Sequence, residues 1–237
     1  MPADAAPSFI WVQQVPAAGS RITLDSDESH YLTRVCRARA GEGITLTDGR
    51  GTRAQAVVIE PAEAVVVEIA EVEHVTRQRS AAILVGPPER GRADWMVEKL
   101  AELGVAALQP IDTERAHWTP AEVRLDRWHR VARAALRQSR RCHELEVREP
   151  VAFSAALALP LGGTAHYLAD PEGASASRSP PHPLGMTVGL VGPAVGFSTG
   201  ERSQMTSAGY VGISLSDARL RTETAALALA CWWSAGG

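Results

Sequence analysis

Two hydrophobic patterns divide the chain. Up to about residue 75, apolar and polar positions alternate in short β-branched runs at 21–24, 43–46, 51–59 and 64–72, each bounded by turn residues. Asp48-Gly49, between two of these runs, is a hairpin signal. The stretch 30–39 reads as a short helix inserted among the strands, and the strand spacing predicts a small β-barrel. Beyond residue 80 the period changes. A buried strand at 81–85 is followed by Ala93, Met96, Val97, Leu100 and Leu103 at helical spacing, with Gly104 placed to end that helix. The pattern then predicts a strand at 105–111, a long helix at 120–142, a helix at 151–157 and a strand at 164–168. Residues 173–183, rich in Ser and Pro, read as a mobile loop. A strand at 186–191, a helix at 198–208, a strand at 210–215 and a helix at 222–232 complete the series. Ser198 and Glu201 have the spacing of a capping box at the start of the second-last helix. Strands alternating with helices predict a parallel α/β sheet, so the expected division is a β domain at 1–75 and an α/β domain at 76–237.

Length and charge narrow the partners. A chain of 237 residues makes one or two domains. Its 24 basic and 27 acidic residues give a net charge of −3, so an anionic ligand must be held by a local patch. Lys99 is the only lysine, and arginine supplies the remaining basic residues, which suits bidentate contact with phosphate. Arg124, Arg127, Arg130, Arg133, Arg137, Arg140 and Arg141 recur every three or four residues along the long helix, with Leu125, Trp128, Val131, Ala132, Ala135 and Leu136 on its other face. A solvated face usually mixes signs, whereas only Glu122 and Asp126 lie near these arginines. The stripe therefore predicts an anionic partner, most simply RNA phosphate. Arg34, Arg37 and Arg39 form a second basic cluster. Cys36, Cys142 and Cys231 lie far apart, and His30, His117, His129 and His143 have no ligand spacing, so neither a disulfide framework nor a metal is expected. The start of the chain lacks the pattern of a signal peptide, and the longest apolar run, 225–233, falls short of the ~20 residues of a membrane span. A cytoplasmic protein with no membrane partner is expected.

Two motifs have the form of ligand-binding loops. Leu190-Val191-Gly192-Pro193-Ala194-Val195-Gly196-Phe197-Ser198 carries an apolar strand through a Gly/Pro turn into a capped helix. Ligands of parallel sheets bind at such strand ends, although an ordinary βα turn has the same form. No Lys-Ser/Thr follows the glycines and no GxGxxG is present, which excludes a P-loop and a dinucleotide fingerprint. The second motif, Leu215-Ser216-Asp217-Ala218-Arg219-Leu220-Arg221-Thr222-Glu223-Thr224-Ala225, also leaves a strand and enters a helix. Thr222 is placed to cap that helix and Glu223 suits its positive end. Arg221 opposes the helix dipole, which points to another use or to a salt bridge.

In this order the segments resemble the bacterial 16S rRNA (uracil-N3)-methyltransferase family of RsmE type, within the SPOUT superfamily. The resemblance rests on His30-Tyr31-Leu32-Thr33-Arg34-Val35-Cys36-Arg37 with Gly41-Glu42 and Asp48-Gly49, on 98–105, on Thr113-Glu114-Arg115, on Gln138-Ser139-Arg140-Arg141, on Val191-Gly192-Pro193 and on 220–225. It implies a small PUA-like β-barrel followed by a SPOUT α/β domain with a trefoil knot at roughly 186–235, and a homodimer formed through the knot. It implies that S-adenosylmethionine is held by Leu168, Leu190, Gly192, Gly196, Ile213, Leu215, Leu220, Thr222 and Thr224. It further implies that 16S rRNA of the 30S subunit meets Arg34, Arg37, Arg115, Arg130, Arg133, Arg137, Arg140 and Arg141, with no metal. The reaction expected is methyl transfer to a uridine N3, with Arg221 stabilising the developing charge and Glu223 as candidate proton acceptor or helix cap. Ala194 and Val195 stand where the family has Glu and Gly; a Val is sterically awkward where a Gly used positive φ, and bulk at Val195 filling the cofactor hollow would overturn the assignment. An RNA-binding chain with a lost cofactor site, and a SPOUT enzyme acting on another RNA such as tRNA, are the competing readings.

Overall fold

The computed structural model describes residues 7–178 and 185–235. The chain divides into two compact units, Met1–Arg77 with Leu136–Glu144, and Gln78–Ala135 with Leu145–Gly237.

The first unit contains β1 (Ser8–Trp11), β2 (Arg21–Thr23), α1 (Ser26–His30), a π-helical turn (Tyr31–Cys36), β3 (Gly43–Thr47), β4 (Thr52–Glu60) and β5 (Val66–His74). The strands form one mixed sheet in the order β1-β3-β4-β5-β2, in which β1 runs parallel to β3 and the other pairs are antiparallel. Asp48-Gly49 makes the β3–β4 turn as expected, with Gly49 at φ +70°. The helix expected at 30–39 is two pieces. Asp25 caps α1 by accepting the Glu28 N–H at 2.8 Å, the π turn follows, and Arg37 stops it in the left-handed region at φ 55°. Ile10, Leu32, Ile44, Leu46, Val58 and Val67 are fully buried and form the core of this unit. Residues 136–144 join it through backbone bonds, with the Gly51 N–H donating to Cys142 O and the Glu144 N–H to Gly49 O, both at 2.7 Å.

The second unit contains β6 (Arg79–Val85), α2 (Ala93–Glu102), β7 (Ala107–Asp112), α3 (Leu125–Ser139, its last turn belonging with the first unit), β8 (Glu146–Val147) and β9 (Val151–Ala152). It continues with α4 (Phe153–Leu157), β10 (Gly163–Ser175), β11 (Gly185–Val191), α5 (Thr199–Ser207), β12 (Val211–Ser214) and α6 (Thr222–Ala235). The sheet is parallel throughout, in the order β12-β10-β11-β6-β7-β8, with β9 pairing the far end of β7. Both faces are covered, as a parallel sheet requires. Ile83 and Val85 pack with Met96, Leu100, Trp128 and Leu229 on one side, and Leu84, Leu168 and Leu190 pack with Phe153, Phe197 and Met205 on the other.

Three expectations are corrected here. The long helix begins at Leu125 rather than 120, because Thr119 and Glu122 close a separate turn in which the Glu122 carboxylate accepts both the Thr119 N–H (3.2 Å) and its hydroxyl (2.7 Å). It ends at Ser139 because Arg140 turns left-handed at φ 55°. The helix expected at 151–157 starts two residues later, since Val151 and Ala152 pair with Ile111 and Asp112 as β9. The strand expected at 164–168 continues to Ser175, where a 3-10 turn (Ala176–Arg178) takes over; the remainder of the loop expected at 173–183 lies outside the described residues.

Candidate active site

Strands β11, β10 and β12 are neighbours, and the carboxyl ends of all three open on one cavity. Each end is shaped by small residues. Ala169 and Ala174 of β10 both register with Ile213, so 170–173 is extruded from the ladder. Gly173 returns the chain against Gly212: a Cβ at 173 would stand 2.4 Å from the Gly212 carbonyl carbon, closer than atoms pack. After β11 the chain turns through 192–196, where Gly196 takes the positive φ of +73°. Val195 therefore has ordinary backbone geometry. The residue is 57% exposed and absent from the cavity lining, so it does not fill the hollow. After β12, the Ser216 hydroxyl accepts the Ala218 N–H at 3.1 Å and shapes the third loop.

Side chains sew these loops together. Thr222 donates its hydroxyl to Gly192 O at 2.9 Å, and Arg219 Nη2 donates to Ala194 O at 2.9 Å. The capping expected of Thr222 is corrected by this bond. The carbonyl that accepts the Ala225 N–H at 2.8 Å is that of Arg221, so Arg221 holds the cap position and Thr222 is the first helical residue. Ser198 and Glu201 do form the expected capping box, at 3.1 Å and 2.8 Å. The buried Glu201 carboxylate also accepts the Glu114 N–H at 2.8 Å, which ties the Thr113-Glu114-Arg115 segment to the start of α5.

The cavity has a volume of about 620 Å³. Of the nine residues expected to hold a cofactor, Leu168, Gly192, Gly196, Ile213, Leu215, Leu220 and Thr222 line it. Leu190 is buried in β11 beneath it, and Thr224 is exposed on α6. Asp217 and Arg219 of the second motif also line the cavity, while Asp170 and Glu172 on the extruded segment and Arg202 on α5 escaped the sequence reading. Asp170 Oδ2 accepts Arg202 Nη1 at 2.8 Å. Their signal was available in Asp170-Pro171-Glu172-Gly173, a polar break directly after an apolar strand. Apolar walls with charge of both signs at the rim suit a zwitterionic ligand carrying a flat ring.

Arg221 does not line the cavity. It stands exposed between two residues that do, and its Nη1 donates to the Glu89 carboxylate, which supplies the salt bridge the sequence left open. Glu223 is 4% exposed, with Oε2 buried and unpartnered among the described residues.

The arginine stripe finds counter-charges on other elements. Asp94 Oδ2 accepts both Arg124 Nη2 (2.8 Å) and Arg127 Nε (2.5 Å), while Asp94 Oδ1 accepts the Trp128 indole at 3.0 Å. In the first unit Arg137 Nη1 donates to Glu28 Oε1 at 2.5 Å and its guanidinium lies 4.9 Å from the Tyr31 ring centre. Burial still pushes the Glu28 carboxyl above its ordinary pKa, with the Arg137 cation opposing it. Arg140 Nη2 donates to Pro7 O at 3.0 Å, and burial lowers the pKa of Arg141. Arg34, Arg37, Arg115 and Arg130 are exposed, and Arg133 is half-buried. Among the described residues no cluster of His, Cys, Asp or Glu could hold a metal ion, and no helix is long and apolar enough to cross a membrane.

Comparison with known proteins decides the family. Residues 76–234 match the RNA methyltransferase domain, and residues 24–77 match the RNA methyltransferase PUA domain. The chain belongs to the RNA methyltransferase family. This methyltransferase is 30% identical over 239 residues to ribosomal RNA small subunit methyltransferase E of Mycobacterium bovis and of Mycobacterium tuberculosis, with 92% of the chain and 87% of each relative covered. It superposes with a TM-score of 0.84 and 27% identity on ribosomal RNA small subunit methyltransferase E from Neisseria gonorrhoeae, solved bound to S-adenosyl methionine, covering 95% and 96% of the two chains. The expected fold, a PUA-like domain before a SPOUT-type α/β domain, is the one found.

Proposed function

We propose that this RNA methyltransferase moves a methyl group from S-adenosylmethionine to N3 of a uridine in 16S rRNA of the small ribosomal subunit. The observation that carries the reading is the cavity at three adjacent strand ends, with Arg221 exposed between two of its lining residues, in a chain related to enzymes named for small-subunit rRNA. The residues fit the cofactor. The cavity falls within the ~300–1,000 Å³ of small-molecule sites. Leu168, Ile213, Leu215 and Leu220 offer apolar walls to an adenine ring, and Asp170, Glu172 and Asp217 offer negative charge to an ammonium and a sulfonium. A Cβ at Gly192 would meet the Phe197 ring at 2.8 Å, so the wall there is backbone.

The donor supplies a methyl group already made electrophilic by its sulfonium. The protein's work is alignment and charge stabilisation. Negative charge grows on the uracil oxygens as the N3 proton leaves, and the exposed Arg221 guanidinium is the group to receive it. A base held in a helix is first extruded, at a cost of a few kcal/mol. Arg34, Arg37, Arg115, Arg130, Arg133, Arg137, Arg140 and Arg141 are the candidate phosphate contacts. Residues 1–75 serve as the RNA-binding domain and 76–237 as the transfer domain, knotted at roughly 186–235 and paired with a second copy through the knot. The setting is the cytoplasm, where small subunits are assembled. The competing reading, an RNA-binding chain whose altered loops mark a lost cofactor site, is disfavoured by a cavity that Val195 does not line.

Arg221→Ala tests the assignment. Methyl transfer to 30S particles is expected to fall about 10²–10³-fold, with the S-adenosylmethionine dissociation constant, measured by calorimetry, within about threefold of the parent protein. An equal loss of donor binding would move Arg221 into the cofactor pocket and overturn its catalytic role.

A further inference from the structure

Glu89 lies on the loop that follows β6, and three observations tie this loop to the site. The Gly86 N–H donates to Val191 O at 2.9 Å. A Cβ at Gly86 would stand 2.7 Å from Pro193, so the loop rests directly on the 192–196 wall of the cavity. On the same loop, Glu89 lines a second hollow of about 140 Å³ that also includes Trp118 and Arg124. At about 30 Å³ per water this hollow has room for some four or five waters, the scale of one pyrimidine ring. The Arg221–Glu89 pair thus links Glu89, which lines a hollow sized for a base, to Arg221, whose chain neighbours Leu220 and Thr222 line a cavity sized for a nucleoside cofactor.

The pair is a poor structural device. Its side chains are 64% and 53% exposed, and ion pairs at that exposure contribute little to stability. It does present a cationic donor beside an anionic acceptor. The reacting edge of uracil has the complementary order, a carbonyl oxygen beside N3–H. Cytosine places a bare nitrogen at N3, which would face the carboxylate lone pair to lone pair. Glu223, the other candidate, is buried in the first turn of α6 at 4% exposure, out of reach of an incoming base.

We infer that Glu89 recognises the N3–H of the target uracil and accepts its proton, while Arg221 binds the adjacent carbonyl oxygen. The inference rests on the proposed function above. In the step, the N3–H bond breaks and the proton moves to a Glu89 carboxylate oxygen. The N3 electron pair bonds to the methyl carbon as the carbon–sulfur bond breaks. That bond's electrons stay on sulfur, which departs as a neutral thioether. Glu89 then returns the proton to water, which its exposure allows.

The experiment measures single-turnover methyl transfer from labelled S-adenosylmethionine to undermethylated 30S particles, with the parent protein, Glu89→Gln and Glu89→Asp. Glu89→Gln is expected to lose about 10²-fold or more in rate, with donor affinity, measured by calorimetry, unchanged. Its rate is expected to climb with pH through the range where the parent's is flat, because solvent base then removes the proton. Glu89→Asp is expected to recover part of the loss. Transfer by Glu89→Gln within threefold of the parent, or an unaltered pH profile, overturns the role of Glu89 and leaves the proposed function standing. Absence of transfer to 30S particles by the parent protein itself overturns both.

Discussion

Replacing Glu201 with alanine removes a carboxylate that joins two loops of the site. Glu201 is 1% exposed, and its two oxygens accept the Ser198 and Glu114 N–H groups, each at 2.8 Å. A hydrogen bond to a charged group contributes about 1.5–3 kcal/mol. Ser198 is buried, so its stranded N–H should cost near the top of that range, while exposed Glu114 can rehydrate and should cost near the bottom. The sum is about 4 kcal/mol. Relief of the buried charge returns part of it, leaving a net loss of about 3 kcal/mol. For a chain of this size that corresponds to a thermal midpoint lowered by about 10 °C. The comparison variant, Ser198→Ala, loses only the cap hydroxyl and is expected to cost about 1 kcal/mol. Urea unfolding monitored by circular dichroism reads both. A Glu201→Ala loss no larger than that of Ser198→Ala would refute the bridging account.

Gly192→Ala forces a methyl group against the Phe197 ring at 2.8 Å and disturbs the carbonyl that holds Thr222. Donor affinity measured by calorimetry is expected to fall at least tenfold, about 1.4 kcal/mol; unchanged affinity would place the donor elsewhere. Burial and the Arg77 cation hold the His143 imidazole below its ordinary pKa, with Asp48 opposing. The folded chain therefore takes up this proton less readily than the unfolded one, and stability is lost as pH falls from about 6.5 toward the folded value. The drop in unfolding midpoint between pH 7.5 and 5 should be smaller in His143→Asn, and an equal drop in both proteins would exclude His143 as its source. Charge reversal at Arg130 and Arg133 should weaken RNA binding and reduce the slope of log affinity against log salt by about 0.9 for each duplex phosphate left without its arginine. An unchanged slope would remove these side chains from the RNA interface.

The elements legible in the sequence were those whose stabilising interactions are local. The β3–β4 hairpin follows from Asp48-Gly49, α5 from its capping box, and β11 from its largely apolar run into a Gly/Pro turn. Elements held by distant partners were harder to read. The four-residue β1 has no hairpin neighbour and exists through parallel pairing with β3. The end of β10 was hidden because Asp170-Pro171-Glu172-Gly173 reads as a turn, whereas the strand resumes pairing at Ala174. Of the nine cofactor residues that the resemblance implied, seven line the cavity, five of them in the two strand-to-helix motifs visible in the sequence. The charged rim depended on which loops meet, as did the carboxylates facing the arginines. Asp94 and Glu28 lie 33 and 109 residues from Arg127 and Arg137, and no helical period reveals such partners.

The close seat of Pro193 on Gly86 makes two walls into one piece. If Glu89 reads the acceptor and 192–196 encloses the donor, as proposed, the two loops move together. Departure of the spent thioether and release of the modified base would then draw on a single opening excursion, so that turnover inherits one shared exit step.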